Sequence, residues 1–255
     1  MVKMIDSHIH LDLYQEEQLE QLLSSLDSIE ALITVSFHLH SCKKNLLIAS
    51  KTNKIKVAFG YHPEQSLPDE ASTEELFQWI RQNQHRMIAI GEVGLPYYLR
   101  KEHPELKLEG YVELLERFVL LAKELDKPII LHAVYKDASI VCDLLEKHSV
   151  SKAHFHWFKG DSSTIRRMAD NGYFISVTPD VCYEKEIQEL VEMYPIDQLM
   201  VETDGPWPFE GPFHGKMTHP VMIQSSIRQI SELLNMSEQQ IVTIVRDNVR
   251  RFFCL

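Results

Sequence analysis

Apolar and polar positions follow two alternating periods along this chain. Short runs rich in β-branched and aromatic residues predict strands, and longer segments with apolar residues at helical spacing predict helices between them. The eight predicted strands are 2–9, 31–37, 55–61, 87–93, 128–132, 153–158, 173–177 and 198–202. Helical spacing is clear in the series Leu19, Leu22, Leu23 and Leu26.

Helix starts are indicated by two capping boxes, in which a Ser and a Glu or Gln three residues later satisfy each other's backbone N–H groups. One box runs from Ser72 to Glu75 and the other from Ser237 to Gln240. The second box opens a terminal helix with Ile241, Val245 and Val249 on one face.

Strands alternating with helices favour parallel βαβ units, and eight of them suit a closed barrel better than an open sheet. The glycines form Gly91-x-x-Gly94 and never the GxGxxG pattern of a dinucleotide-binding fold. Gly211-x-x-x-Gly215-Lys216 is one residue short of a phosphate-binding P-loop and follows no strand. We therefore predict one (β/α)₈ TIM-like barrel domain over 1–255, ending in a C-terminal helix.

Composition narrows the class of protein further. The 255 residues carry a net charge of −11, and 44% of them are apolar. No stretch approaches the roughly 18 apolar residues of a membrane helix, and the four cysteines form no CxxC pair. We expect a cytoplasmic protein with no membrane association and no implied protein partner. The acidic balance argues against a broad nucleic-acid-binding surface.

Histidine is the residue type that points to chemistry. Three His-x-His pairs occur among 13 histidines: His8/His10, His38/His40 and His154/His156. On an extended segment residues i and i+2 point to the same side, so each pair could converge on one ion. An isolated pair is more often two polar residues facing solvent.

Position along the strands separates these alternatives. Active sites of such barrels lie at the C-terminal ends of the strands. Metal-binding or acidic residues end six predicted strands: His8 and His10, His62, Glu92, His132, His156, and Asp204. Nitrogen and carboxylate ligands converging on one mouth predict a metal site, and a carboxylate such as Glu92 can bridge two ions. His38 and His40 have no acidic partner and are weaker candidates.

The residues at these positions resemble the ordered motifs of a known family. They are Asp6-Ser-His8-Ile-His10-Leu-Asp12, Gly60-Tyr-His62-Pro63, Gly91-Glu92-Val-Gly94-Leu95, Leu131-His132, His156-Trp-Phe158-Lys-Gly160, Glu202-Thr203-Asp204-Gly-Pro206 and Asn248-x-x-Arg251-x-Phe253. Together they resemble the TatD-like metal-dependent hydrolases, the TatD DNase family of the amidohydrolase superfamily. Each motif is weak, but the ordered set from residue 6 to residue 253 is specific.

The resemblance implies a centre of two divalent metal ions, with Zn²⁺, Mg²⁺ and Mn²⁺ all compatible. His8 and His10 would hold one ion, and His132 and His156 the other. Glu92 would bridge both ions. Asp204 would bind the first ion and act on the attacking water, so that Asp204 and Glu92 are the catalytic candidates. The alternative role for Asp204 is a helix N-cap.

Several residues depart from the family pattern on the side that faces substrate. Pro96 stands where an acid is usual, Val134 where an Arg is common, and His219 where a Glu is common. Lys136 could substitute for that Arg, although a point charge cannot make Arg's bidentate contact. The candidates for substrate binding are His62, Lys136, Trp157 and Trp207. Aromatic residues there could stack bases, line an apolar pocket or pack a loop.

Three functions remain open at this level. The leading one is a DNase-type phosphodiesterase acting on single-stranded or frayed nucleic-acid ends, since the acidic surface disfavours wide duplex binding. The second is an ester or amide hydrolase, of deacylase type, for a small or tRNA-linked substrate. The third is a binding or scaffold protein without turnover, against which the complete ligand set argues.

Overall fold

Eight parallel strands are hydrogen-bonded in chain order in the computed structural model, which describes residues 2–255. The strands are β1 Met4–Ile9, β2 Ile29–Thr34, β3 Ile55–Phe59, β4 Met87–Gly94, β5 Ile129–His132, β6 Ala153–Phe155, β7 Phe174–Val177 and β8 Leu199–Val201. The ends of the sheet meet just beyond β8, where His10 N–H donates to Gly205 O at 2.7 Å and Asp204 N–H to His8 O at 2.9 Å. The predicted (β/α)₈ barrel is therefore confirmed. The assignment of 1–255 to one domain stays a prediction, and Met1 lies outside the described residues.

Ten α-helices and several short 3₁₀ turns connect the strands along the described chain. The helices are α1 Glu16–Ser24, α2 Leu39–Ala49, α3 Glu70–Asn83, α4 Tyr97–Glu102, α5 Glu109–Glu124, α6 Lys136–His148, α7 Ser162–Asp170, α8 Lys185–Met193, α9 Ile223–Leu233 and α10 Glu238–Phe253. Between residues 2 and 255, no helix combines the length and apolarity needed to cross a lipid bilayer.

The two capping boxes have different outcomes. Ser237 caps α10, and both reciprocal hydrogen bonds with Gln240 are present, as predicted. The box at Ser72 is wrong, because α3 already begins at Glu70 and the Asp69 carboxylate accepts the Ser72 N–H at 2.7 Å. Asp is as strong an N-cap as Ser, and here it lies three residues earlier.

Strand ends differ from the predicted runs where the backbone turns away to build the barrel mouth. The predicted strand 153–158 stops at Phe155, because the chain leaves the ladder there and Trp157 has a φ of 38°. Beyond Phe155 the side chains serve different surroundings: Phe158 is buried in the core, whereas His156 and Trp157 line the cleft. Hydrophobicity alone therefore overestimates the strand.

The inside of the barrel is apolar at one end and polar at the other. Side chains such as Ile33, Ile130 and Met200 fill the interior, and Phe252 and Phe253 of α10 pack against them. The Asn248 side-chain amide holds α10 to the barrel by donating to Leu199 O at 2.7 Å and Ile196 O at 2.8 Å. The polar side chains gather at the opposite end, where the strands terminate.

Candidate metal centre

Seven metal-binding or acidic side chains meet at the C-terminal ends of the strands and are all buried. They are His8, His10, His62, Glu92, His132, His156 and Asp204. Titratable groups are rarely buried unless they are paired or bind a metal. Their packing into one cluster therefore requires a specific compensation.

The first ligand group comprises His8, His10, Asp204 and the Oε2 atom of Glu92. His8 Nε2 lies 3.1 Å from Glu92 Oε2 and 3.4 Å from Asp204 Oδ1. His10 Nε2 lies 3.2 Å and 3.3 Å from the same two oxygens, and 3.3 Å from His8 Nε2. These spacings suit four ligands around a divalent cation, since bonds of about 2.0–2.1 Å place tetrahedral ligands roughly 3.3–3.4 Å apart.

The second ligand group comprises His132, His156 and the other oxygen of Glu92, Oε1. This oxygen lies 2.9 Å from His132 Nδ1 and 2.7 Å from His156 Nε2, and the two nitrogens are 3.0 Å apart. The His8 and His156 rings stack across the two groups with centroids 3.8 Å apart. Glu92 thus offers one oxygen to each group, which is the arrangement of a bridging carboxylate.

Unsatisfied atoms test whether these residues fit metal ions. Glu92 Oε2 and Asp204 Oδ1 are buried and accept no hydrogen bond, although imidazole nitrogens surround both. A buried carboxylate oxygen without a partner is costly, and a cation would satisfy it. Nitrogen and oxygen ligands of this kind suit Zn²⁺, Mn²⁺ or Mg²⁺. His8, His10 and Glu92 of the first group have the spacing to hold an ion, and so does a set formed by His62, Glu92 and His132. The residues therefore fit the metal chemistry.

The pKa directions in the cluster show how charges compensate one another without an ion. Burial lowers the pKa of His10, but the facing carboxylates of Asp204 and Glu92 outweigh it and raise the value to about 9. Burial would raise the pKa of Glu92, yet the surrounding imidazoles hold it well below the usual range. Burial also opposes ionisation of Asp204, but His10 and His8 keep its pKa below normal. The carboxylates are therefore ionised and poised to bind a cation.

Two carboxylates behind the second ligand group were missed by sequence reasoning. Glu64 Oε1 lies 3.0 Å from His132 Nε2, and the first turn of α4 holds Glu64 through the N–H groups of Tyr98 and Leu99 at 2.9 Å and 2.6 Å. A carboxylate only accepts, so His132 Nε2 carries the hydrogen and Nδ1 is free for an ion. Glu202 Oε1 lies 3.5 Å from His156 Nδ1. The sequence feature that could have identified Glu64 is its position two residues after His62, at the same strand end.

His62 lies in the same cluster but presents a hydrogen rather than a lone pair. Its Nδ1 accepts the Glu64 N–H at 3.1 Å, so Nε2 carries the hydrogen and faces Glu92 Oε1 at 3.3 Å. The ring stacks on Phe37 with centroids 4.0 Å apart. Burial lowers the pKa of His62 to about 4, although Glu92 opposes this. At neutral pH His62 is therefore an uncharged donor at the mouth.

The backbone around the ligands is shaped for close approach. Asp204 adopts a left-handed conformation with φ 48°, which is uncommon for a residue other than Gly. Its carboxylate faces His8 and His10 rather than capping a helix. A Cβ on Gly94 would lie 2.0 Å from His132 O, so only glycine lets β4 and β5 approach here.

A cleft of about 680 Å³ opens above the two ligand groups. Trp157, Trp207 and His62 line it, together with Tyr98 and Lys159. Lys136 is not among the lining residues: it is exposed at the start of α6. The cation that lines the cleft instead is Lys159, which is 27 residues after His132 in the chain. Its Nζ atom lies 3.7 Å from Asp180 Oδ2 and over the ring of Trp157.

The remaining departures and histidines lie outside the cluster. His219 faces Ser25 Oγ at 2.9 Å and accepts the Val221 N–H, and Pro96 and Val134 are buried beside the strand ends. His38 caps α2 by accepting the Ser41 N–H at 3.2 Å. In the segment that follows β8, Phe209 and Phe213 pack together with Met222 and against Trp157.

Comparison with known proteins agrees with this geometry. The family model for TatD related DNase matches residues 5–254. The chain belongs to the TatD related DNase family. A metal-dependent hydrolase of Haemophilus influenzae, described as uncharacterized, is 37% identical over 253 residues that cover 99% of this chain and 100% of its own. These findings make the chain a metal-dependent hydrolase of the TatD family.

More distant TatD relatives share the same extent. The human deoxyribonuclease TATDN3 is 26% identical over 99% of this chain and 95% of its own length. The crystal structure of YJJV, a TatD homologue from Escherichia coli K12, superposes with a TM-score of 0.89 at 24% identity, covering 99% of this chain and 98% of that one. The superposition on YJJV shows that the barrel has the fold of this TatD homologue.

Proposed function

We propose that this TatD-family hydrolase uses two divalent ions to cleave phosphodiester bonds at single-stranded or frayed nucleic-acid ends. The observation that carries the proposal is that the two oxygens of Glu92 face different ligand groups. Oε2 faces His8 and His10, and Oε1 faces His132 and His156. A carboxylate between two nitrogen sets can bridge two ions, as a two-metal centre uses it. The catalytic roles of Asp204 and Glu92 belong to this proposal.

Each residue has a distinct task in the proposed reaction. Bound divalent ions would lower the pKa of water and polarise the bond under attack. Asp204 stays ionised at neutral pH, so its carboxylate can orient the attacking water and accept its proton. His62 keeps its Nε2 hydrogen and can donate to an oxygen that gains negative charge as the bond breaks.

The walls of the cleft favour a chain end over a long duplex. Trp157, Trp207 and Tyr98 offer aromatic surface on which exposed bases can stack. Glu64 and Glu102 also line the cleft, so its lining is not predominantly basic. A substrate held by stacking and by the metal centre needs few phosphate contacts, whereas duplex binding depends on many.

Hydrolysis of an ester or amide in a small or tRNA-linked substrate is the second candidate. The observation in its favour is that Lys159, the cation lining the cleft, is already engaged by Asp180 at 3.7 Å. A substrate with few phosphates would not require a free cation at this position. The same metal centre can polarise a carbonyl oxygen.

A substrate panel with metal analysis separates these functions. Purified protein is analysed for bound metal and then supplied with Mg²⁺, Mn²⁺ or Zn²⁺. It is assayed on single-stranded oligonucleotides, on duplexes with blunt or frayed ends, and on carboxylic esters, including aminoacyl-tRNA. Release of nucleotides from single-stranded or frayed ends supports the nuclease. Turnover of esters alone supports the second candidate, and metal binding without turnover of any substrate overturns both.

A further inference from the structure

Two polar residues lie inside the barrel below the second ligand group, where apolar side chains dominate. His154 of β6 and Ser176 of β7 are both completely buried. His154 is in register with Ile130 and Phe174, and its ring meets the edges of Phe252 and Phe253 at centroid distances of 6.0 and 6.2 Å. A polar ring in this environment is costly unless its hydrogen bonds serve the structure around it.

The hydrogen bonds of these residues run in one direction, towards Glu202. The Ser176 hydroxyl donates to Glu202 Oε2. Having used its hydrogen, Ser176 Oγ accepts from His154 Nε2 at 2.6 Å. His154 therefore carries its hydrogen on Nε2, and its buried Nδ1 has no hydrogen-bond partner.

Glu202 connects this series to the metal centre. Its Oε1 atom accepts the Trp157 N–H at 2.8 Å and lies 3.5 Å from His156 Nδ1. The opposite nitrogen of His156, Nε2, lies 2.7 Å from Glu92 Oε1 within the second ligand group. The series His154, Ser176, Glu202 and His156 thus runs from the barrel interior to the proposed ion.

We propose that His154 and Ser176 are positioning residues that hold the Glu202 carboxylate, and through it His156, in the orientation that binds the second ion. Hydrogen bonds donated in series polarise one another and restrict the carboxylate to one rotamer. A fixed carboxylate keeps the His156 hydrogen on Nδ1 and leaves Nε2 for the metal. Neither residue touches substrate or ion, so their effect is on binding of one ion. The inference rests on the two-metal centre proposed above.

Calorimetric titration of Mn²⁺ into the wild type and into Ser176→Ala tests this inference. Removing a partner outside the ligands typically costs about 10–100-fold in metal affinity. Since Ser176 acts through Glu202, we expect a loss of about tenfold for one ion and unchanged affinity for the other. General destabilisation of the fold would affect both ions. Equal binding of both ions by the wild type and Ser176→Ala would overturn the inference.

Ser226→Ala is the matched control, because Ser226 of α9 is also completely buried but its hydroxyl has no hydrogen-bond partner. It is expected to bind both ions like the wild type. In a double-mutant cycle, His154→Leu should lower the affinity for the second ion when introduced into the wild type. It should cause no further loss of that affinity when introduced into Ser176→Ala. Additive effects would contradict the series. A wild type that binds fewer than two ions would instead refute the metal centre itself.

Discussion

The two ligand groups share Glu92 but are supported in different ways. In the first group, His8 Nδ1 and His10 Nδ1 are buried with no hydrogen-bond partner. In the second, Glu64 lies 3.0 Å from His132 Nε2, and Glu202 makes a longer ion-pair contact of 3.5 Å to His156 Nδ1, an atom that has no closer hydrogen-bond partner. The first group gains its order from direct contact with two carboxylates, and the second from carboxylates behind the imidazoles.

This difference predicts that the two groups bind their ions in different ways. The first group contains four side chains from the end of β1, from β4 and from the segment after β8. Backbone hydrogen bonds at His8 and His10 join the end of β1 to that last segment. Such a group can hold an ion firmly without outer support. The second group has three ligand atoms, leaving more positions open for substrate, and depends on its outer carboxylates for orientation.

The largest expected effect is that of Asp204→Asn in the first group. Loss of a proton acceptor typically lowers kcat about 10²–10⁴-fold. We expect a loss in that range with an unchanged circular dichroism spectrum, measured on the best substrate of the panel. Asp197→Asn, which changes an exposed acid just before β8, should be fully active. Near wild-type turnover by Asp204→Asn would remove Asp204 from the mechanism.

Removal of metal tests whether either group is occupied in the functional protein. A ligand present at about 100 times its Kd stabilises the folded state by about 2.7 kcal/mol. For a chain of this size, the midpoint of thermal unfolding should then fall by about 5–10 °C after chelation and recover with added Mn²⁺.

The histidine pairs supply the controls for that experiment. His10→Ala should lose most of the metal-dependent shift in Tm, because it removes a ligand of the first group. His40→Ala should keep the shift, since His40 is exposed on α2. An equal shift in both variants would place the bound ion elsewhere.

Glu64→Ala tests the outer support of the second group. We expect about 10–100-fold weaker binding of one ion, because His132 loses the partner that fixes its orientation. Glu64→Gln should retain part of the affinity, as its amide oxygen can still accept from His132 Nε2. Glu102→Ala alters a neighbouring acid of the cleft and should bind both ions normally. Weaker binding of both ions by Glu64→Ala would show that the two groups are not independently supported.

The smallest effect concerns protons released when metal binds. The pKa of His10 is raised to about 9 by Asp204 and Glu92, against the effect of burial. At pH 7 His10 is therefore protonated in the metal-free protein, and an ion must displace that proton. Calorimetry in buffers of different ionisation enthalpy should report net proton release that diminishes as pH rises through about 9. Binding without proton release at pH 7 would show that His10 is uncharged in the metal-free protein.

The sequence predicted both the barrel and the residues that meet at its mouth, because both follow from local order. Strand and helix periods alternate eight times. A polar residue at the C-terminal end of a buried strand must lie at the mouth of the barrel. Helix starts were less certain, since Asp69 and Ser72 are both good N-caps and only the path of the preceding loop decides between them.

Distances and outer partners depended on the tertiary structure. Glu64 and His132 are 68 residues apart in the chain, and no local pattern joins them. Lys136 could be proposed from its closeness to His132 in sequence, but α6 begins there and leaves the side chain exposed, whereas Lys159 reaches the cleft from the next loop. Strand periodicity determines which residues reach the mouth. Only the closed barrel determines which side chains meet across it and hydrogen-bond behind the ligands.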